Sequence, residues 1–238
     1  MEEIGVSGMK IVLQVDKNFH FSRKFPFMCK NISQLERNGN KYDLYVDEEK
    51  FVSLVHLKIR RLREILDKYD DNEVILSIDV FDTITVASNE EIEKKFISMD
   101  VDVVYSVESN CYPDNKLGKY FGANKFINGG GIIFRNGVFK KILSFLIDVT
   151  EGDVAVMLSV DQYLHQMFAI PLLNNFRIKL DTNNEIFQCL YNEDLSNFKK
   201  VNGKIVNKVT NSLPCVFHGN GDDGFAKINA FYELFIKN

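Results

Sequence analysis

The chain has 238 residues, an apolar fraction of 45 %, an aromatic fraction of 12 % and a formal net charge of −4. That is enough apolar matter for one large α/β domain with a sizeable core, and a negative net charge excludes a general attraction to nucleic acid or to an anionic membrane surface. No apolar run reaches the roughly 18 to 20 residues of a membrane span.

The opening Met1-Glu2-Glu3-Ile4-Gly5 lacks the basic and apolar regions of a secretory leader. Cys29, Cys111, Cys189 and Cys215 show no CxxC or zinc spacing. The expectation is a reduced, cytoplasmic protein.

In chain order, Met9 to Val15 reads as a buried strand. The stretch Phe25 to Asn40 reads as polar and irregular. Tyr42, Leu44 and Val46 alternate as in a short strand. From Phe51 to Tyr69, Val52, Val55, Ile59, Leu62, Ile65 and Leu66 recur at helical spacing; the interleaved Lys58, Arg60, Arg61 and Arg63 read as a solvated face. Val74 to Ile78 is a second buried strand. A helix capped by Asn89 runs to about Met99, with Glu90 and Glu91 in its first turn, where acids suit the dipole. Val101 to Val107 and Gly129 to Phe134 are strands, and Gly137 to Val149 and Asp161 to Phe168 are helices. Short strands fill the remainder, down to Pro214 to Phe217 and a last helix from about Phe225 to Ile236.

Strands alternate with helices over about the first 150 residues, which implies a mostly parallel sheet covered on both faces. Such sheets bind ligands beyond the carboxyl ends of their strands. The residues expected there are Asp16, Asp79 with Asp82, Glu108 and His218.

In Ser77-Ile78-Asp79-Val80-Phe81-Asp82-Thr83, residues three apart point to opposite faces if the strand continues. If it stops at Asp79 and turns, both carboxylates converge, repel each other and favour a cation such as Mn²⁺ or Mg²⁺. The competing account makes Asp79 a turn residue and Asp82 a cap. His218 opens His218-Gly219-Asn220-Gly221, where glycine backbone can approach an anion; an ordinary Gly-rich turn is the alternative. Asn128-Gly129-Gly130-Gly131 marks a close backbone approach or a bulge. Asp161 and Gln162 open a helix, with capping as the alternative. Glu108 and Tyr112 sit in the loop after a strand.

Taken together and in order, these motifs resemble the glycosyltransferase domain of the multifunctional procollagen lysyl hydroxylases and, more distantly, the collagen galactosyltransferases. The matching stretches are HLKIRRL around Lys58, DVFD at 79–82, VESNCYPD at 107–114, FINGGG at 126–131, VDQ at 160–162, LDTNNEIFQ at 180–188 and HGNG at 218–221.

The resemblance implies a GT-A-like fold, α/β and Rossmann-like, that binds a UDP-sugar through Mn²⁺ (or Mg²⁺). On it, Asp79, Asp82 and His218 match the metal ligands. Phe81 matches an aromatic packing on uracil and Lys58 a basic group near the diphosphate, while Gly219 and Gly221 match glycines close to the phosphates. Asp16 belongs to the nucleotide side. Glu108 and Asp161 match catalytic acids of the sugar and acceptor side, with Tyr112, Asn128, Gln162 and Asn220 binding substrate.

Two departures stand out. Tyr112 replaces a frequent Trp, and Gly224 replaces the lysine of HGNG-x-x-Lys. Lys227 or Lys58, helped by a helix N-terminus, is expected to make up that charge.

The implied activity is transfer of a hexose, foremost glucose, from a UDP-sugar to galactosyl-hydroxylysine of a collagen-like protein. Galactose transfer to hydroxylysine is the near alternative. A haloacid-dehalogenase-like phosphohydrolase with Asp79 as nucleophile, and a nucleotide-sugar-binding module without turnover, are the others. The expected organisation is one domain over 1–238, with a nucleotide-binding half to about 125, an acceptor-side half beyond it, and a homodimer as a further form.

Overall fold

The computed structural model describes residues 8–16, 26–47, 55–112, 126–151, 161–172, 175–221 and 223–237. In order the elements are β1 (Lys10–Asp16), α1 (Pro26–Arg37), β2 (Tyr42–Asp47), α2 (Val55–Leu66), β3 (Val74–Ile78), β4 (Thr83–Thr85), α3 (Asn89–Ser98), β5 (Val103–Glu108), β6 (Phe126–Arg135), α4 (Asn136–Thr150), α5 (Asp161–Leu172), β7 (Ile178–Leu180), β8 (Phe187–Cys189), β9 (Phe198–Val201), β10 (Lys204–Asn207), β11 (Val216–His218) and α6 (Gly224–Phe235).

Six strands form the main sheet in the order β2-β1-β3-β6-β5-β7. β1 lies parallel to β2 and β3, and β5 parallel to β7. β6 alone runs antiparallel, to both β3 and β5. The unbroken apolar run of β3 suits a central strand covered on both faces. On one face Leu35 of α1 and Ile92 and Phe96 of α3 pack on Ile11, Leu13, Leu76 and Ile78. On the other, Ile59 and Leu62 of α2, Phe139 and Leu143 of α4 and Leu164 of α5 pack on Val12, Ile75 and Phe134. Phe134 and Phe139 stack with centroids 3.9 Å apart.

A second sheet, β4-β11-β8, leans on this frame. Phe217 of β11, Ile84 of β4, Phe198 of β9 and Ile228 and Phe231 of α6 make its own apolar cluster. β9 and β10 form a separate antiparallel pair. Among the described residues no helix is long and apolar enough to cross a membrane.

The structure differs from the sequence expectation in four places. Residues 26–37 are helical, not irregular. Asn31 of this helix is buried and holds β4 by polar contacts, its Nδ2 donating to Thr83 Oγ1 (3.0 Å) and its Oδ1 accepting from Thr85 N–H (3.3 Å). The cap of α3 is Ser88, whose hydroxyl accepts from Glu91 N–H; Asn89 instead donates to the carbonyls of Met9 (3.0 Å) and Lys41 (3.2 Å). α5 continues past Phe168 to Leu172. The three-residue β4 was not expected.

Candidate active site

β3 delivers Asp79 at its carboxyl end. Asp79 N–H makes a last bond across the sheet to the Gly130 carbonyl (3.0 Å), and the chain then turns away. The Thr83 hydroxyl donates to the Asp79 carbonyl and closes that turn. β4 follows and pairs antiparallel with β11, placing Thr83 opposite His218. Gly219 N–H donates to the Asp82 carbonyl (2.7 Å). Strand end, turn and second sheet thus bring Asp79, Asp82 and His218 together: one ligand atom from each lies within 4.8 Å of the others. His218 Nε2 is 3.2 Å from Asp82 Oδ2.

A hydrogen-bonded relay orients the imidazole. Glu108 is an acceptor, so Asn128 presents its amide Nδ2 to Glu108 Oε1 (3.1 Å). That turns Asn128 Oδ1 toward His218 Nδ1 (2.8 Å) and the Gly130 N–H (2.9 Å). With a cation bound, the ring would keep its proton on Nδ1, held by Asn128, and turn the Nε2 lone pair toward the two aspartates, as a metal-binding histidine requires. Gly130 makes room for the ring: a Cβ there would lie 2.1 Å from His218 Cε1.

Charge is concentrated here. Lys58 Nζ lies 2.7 Å from Asp161 Oδ2 and 3.1 Å from Asp79 Oδ1. Burial alone would lower the Lys58 ammonium, but Asp161 and Asp79 outweigh it and hold it firmly protonated. Burial pushes Asp161 up, and Lys58 overcomes this and leaves it below the usual carboxylate range. Asp79 is raised, chiefly by burial and then by Asp82, against the pull of Lys58. Burial opposes the charge on His218, yet Asp82 lifts the ring well above its ordinary value. The donor set, two crowded carboxylates and one oriented imidazole, fits a divalent cation.

Around this cluster opens a cleft of about 380 Å³. Glu108, Tyr112, Asn128, Asp161, Gln162, Asn220 and Gly221 line it beside Asp79, Asp82 and His218. Glu108 is buried; its Oε1 accepts from Gln162 Nε2 (2.6 Å) and its Oε2 from Asn220 Nδ2 (2.7 Å). Lys58 reaches the site from beneath, engaged by Asp79 and Asp161. Phe81 is half-buried against the main core. Asp16 closes β1, and its side chain lies outside the described residues, as do Pro113, Asp114 and Asp222.

Gly219 and Gly224 touch: a Cβ on Gly224 would lie 1.8 Å from the Gly219 carbonyl oxygen. Lys227 pairs with Asp223 at 3.1 Å. The motif LDTNNEIFQ is architectural here. Asp181 is fully buried and accepts the N–H groups of Glu185, Ile186 and Phe187, each at 2.8 Å, shaping the turn into β8. Tyr191 and Asn110, which the sequence did not single out, also line the cleft.

The fold is that of the GT-A glycosyltransferases. A glycosyltransferase involved in the glycosylation of the major capsid of PBCV-1 superposes with a TM-score of 0.58 at 13 % identity, covering 95 % of this chain and 99 % of that one. The galactosyltransferase LgtC, solved with donor and acceptor sugar analogs, gives 0.53 at 12 % identity over 97 % of both chains.

The chain belongs to the PLOD GT domain family, whose model matches residues 54–234, and is thus a nucleotide-sugar glycosyltransferase domain. An uncharacterized protein of Acanthamoeba polyphaga mimivirus is 31 % identical over 173 residues, 69 % of this chain and 35 % of that protein. The human multifunctional procollagen lysine hydroxylase and glycosyltransferase LH3 is 29 % identical over 175 residues, 69 % of this chain and 23 % of that protein. The matched region therefore spans only a quarter to a third of these relatives. Family membership leaves the phosphohydrolase alternative without support.

Proposed function

We propose that this domain transfers a hexose, foremost glucose, from a UDP-sugar to galactosyl-hydroxylysine of a collagen-like protein, with Mn²⁺ or Mg²⁺ held by Asp79, Asp82 and His218. The observation that carries the reading is the convergence of these three side chains in a cleft lined by acids and amides. When bound, the cation would stabilise the negative charge of the departing UDP as a Lewis acid.

The chain's own residues do the rest. Gly221, which lines the cleft, lets backbone N–H groups approach the diphosphate, whereas Gly219 gives its N–H to the Asp82 carbonyl and lets α6 pack against the loop. Phe81 and Asp16 serve the nucleoside. Asp161, kept ionised by Lys58, faces the acceptor hydroxyl, orients it and takes its proton or stabilises the cationic anomeric carbon. Glu108 holds Asn128, Gln162 and Asn220 in place for the sugar hydroxyls, and Tyr112 borders the acceptor side. The whole chain works as one domain, its first half chiefly on the nucleotide and its second on the acceptor.

The decisive experiment is a panel of UDP-sugars with Mn²⁺, scored by UDP release with and without a galactosyl-hydroxylysine peptide. Peptide-stimulated release with UDP-glucose is expected; stimulation only by unglycosylated hydroxylysine peptide would shift the reading to a galactosyltransferase. One observation favours a binding module without turnover. Lys58 and Lys227 are both engaged by carboxylates, so neither stands free to replace the lysine absent at Gly224. UDP bound with Mn²⁺ but never released from any UDP-sugar would establish that second reading.

A further inference from the structure

Tyr191 follows β8 by two residues, and nothing in its sequence surroundings marks it. Its place is nevertheless fixed from two sides. Leu190 N–H donates to the His218 carbonyl (2.8 Å), and Tyr191 N–H donates to Asn220 Oδ1 (3.2 Å). The ring lies directly on Gly221, where a Cβ would come within 2.3 Å of Tyr191 Cδ2. Gly221 also has φ of +79°, which side-chain-bearing residues adopt only with strain. The loop after β11 is therefore shaped to seat this ring. The ring is half-buried and lines the cleft, and its hydroxyl makes no hydrogen bond to any described residue.

The surroundings of Tyr191 are amides and carboxylates. Asn220 links it to Glu108, which also holds Asn128 and Gln162. These groups suit hydroxyls. A pyranose needs more than that, because it carries hydroxyls at its rim and C–H groups on its faces. A seated aromatic with a free polar tip supplies the missing apolar face at little ordering cost.

We propose that Tyr191 is a specificity-determining platform for a pyranose ring on the acceptor, so that the acceptor is an already glycosylated side chain and not a bare hydroxyl-bearing one. This rests on the glycosyltransferase reading above.

The test uses the full chain with Mn²⁺ and the preferred UDP-sugar. It compares wild type with Tyr191→Phe, which keeps the ring, and Tyr191→Leu, which fills space without a flat face. Three quantities are read: UDP affinity, UDP release without acceptor, and KM for glycosylated against unglycosylated hydroxylysine peptide.

Tyr191→Leu is expected to raise KM for the glycosylated peptide by about tenfold, a larger change than it makes in UDP affinity, in acceptor-free release or in KM for the unglycosylated peptide. Tyr191→Phe is expected to stay close to wild type. If the leucine variant does not fold, Tyr191→His, with a smaller flat ring, is expected to give a rise of about threefold.

An unchanged acceptor KM in the folded leucine or histidine variant overturns the proposal. So does an equal loss of donor affinity, which would put the ring on the donor sugar, or a wild-type preference for the unglycosylated peptide. A wild type that releases no UDP from any donor overturns the underlying reading as well, and is distinct from an active wild type matched by its variant.

Discussion

His218 shows how much a single proton position can decide. Its Nε2 is available to a cation only while Nδ1 donates to Asn128, and Asn128 is turned that way by the Glu108 carboxylate. Asn128→Ala is therefore expected to weaken Mn²⁺ binding by about ten- to a hundredfold, as loss of an outer partner of a metal-binding histidine does. Titration calorimetry with Mn²⁺ checks it, and an unaltered affinity would remove Asn128 from this role.

A second histidine behaves oppositely. His165 is buried with its Nδ1 3.2 Å from the Tyr105 hydroxyl, and burial pushes it down to about 4. The unfolded chain takes up this proton near pH 6.5 and the folded chain only near 4, so between those values the unfolded state binds more protons and stability rises with pH. The folded state should lose roughly 3 kcal/mol from this group as pH falls across that window. Urea denaturation of His165→Gln at pH 5 and pH 7 should show a smaller difference than wild type.

The motif residues were legible because their chemistry is unusual where they stand. Tyr191 was not, since one tyrosine after a three-residue strand has no pattern. The partners of Lys58 were also hidden, because Asp161 lies 103 positions away and only the fold brings it near.

At the scale of elements, the start of α6 leaves no room for a side chain at residue 224. The helix begins there, and its first residue lies against the Gly219 carbonyl, backbone on backbone. No side chain can be added without moving helix or loop. Gly224→Ala should lower stability by about 1–3 kcal/mol, because the overlap exceeds the roughly 1 kcal/mol that alanine gains over glycine in a helix. Gly224→Lys should do no better and should not tighten UDP binding. Thermal melting and UDP titration check both, and a stabilised alanine variant would show that the contact is slack. Ser88→Ala should cost α3 about 1 kcal/mol through loss of its cap, whereas a change at Asn89 would act on β1 and the start of β2 through Met9 and Lys41.

β1, β3, α2 and α4 could be read from sequence because their apolar periodicity is strong. α1 was missed although its periodicity matches that of α2; its polar residues dock it as well, Lys30 reaching Asn229 on α6 (3.0 Å). β4 was invisible at three residues, its place fixed by pairing with β11, some 130 positions later.

For the whole molecule, the main sheet and the second sheet share a core, in which Phe187 and Val216 pack with Leu76, Ile78 and Ile133, and they converge with the turn after β3 at the cleft. A cation ligated by Asp79, Asp82 and His218 would join the two sheets as well as neutralise crowded acids. Saturating Mn²⁺ is therefore expected to raise the melting temperature, by an amount equivalent to about 2.7 kcal/mol at a hundred times its dissociation constant, and chelation should reverse it. Asp82→Ala should abolish both this shift and sugar transfer; a shift that survives in the variant would place the ion elsewhere.

The order of segments across that junction has a consequence for synthesis. Every strand of the main sheet has been translated by residue 180, whereas β11 and the loop that seats Tyr191 come after residue 215. The nascent chain can thus assemble its main sheet well before it can ligate a cation or hold a sugar. A nonsense mutation between those points would yield a polypeptide with the main-sheet segments complete and no working cleft.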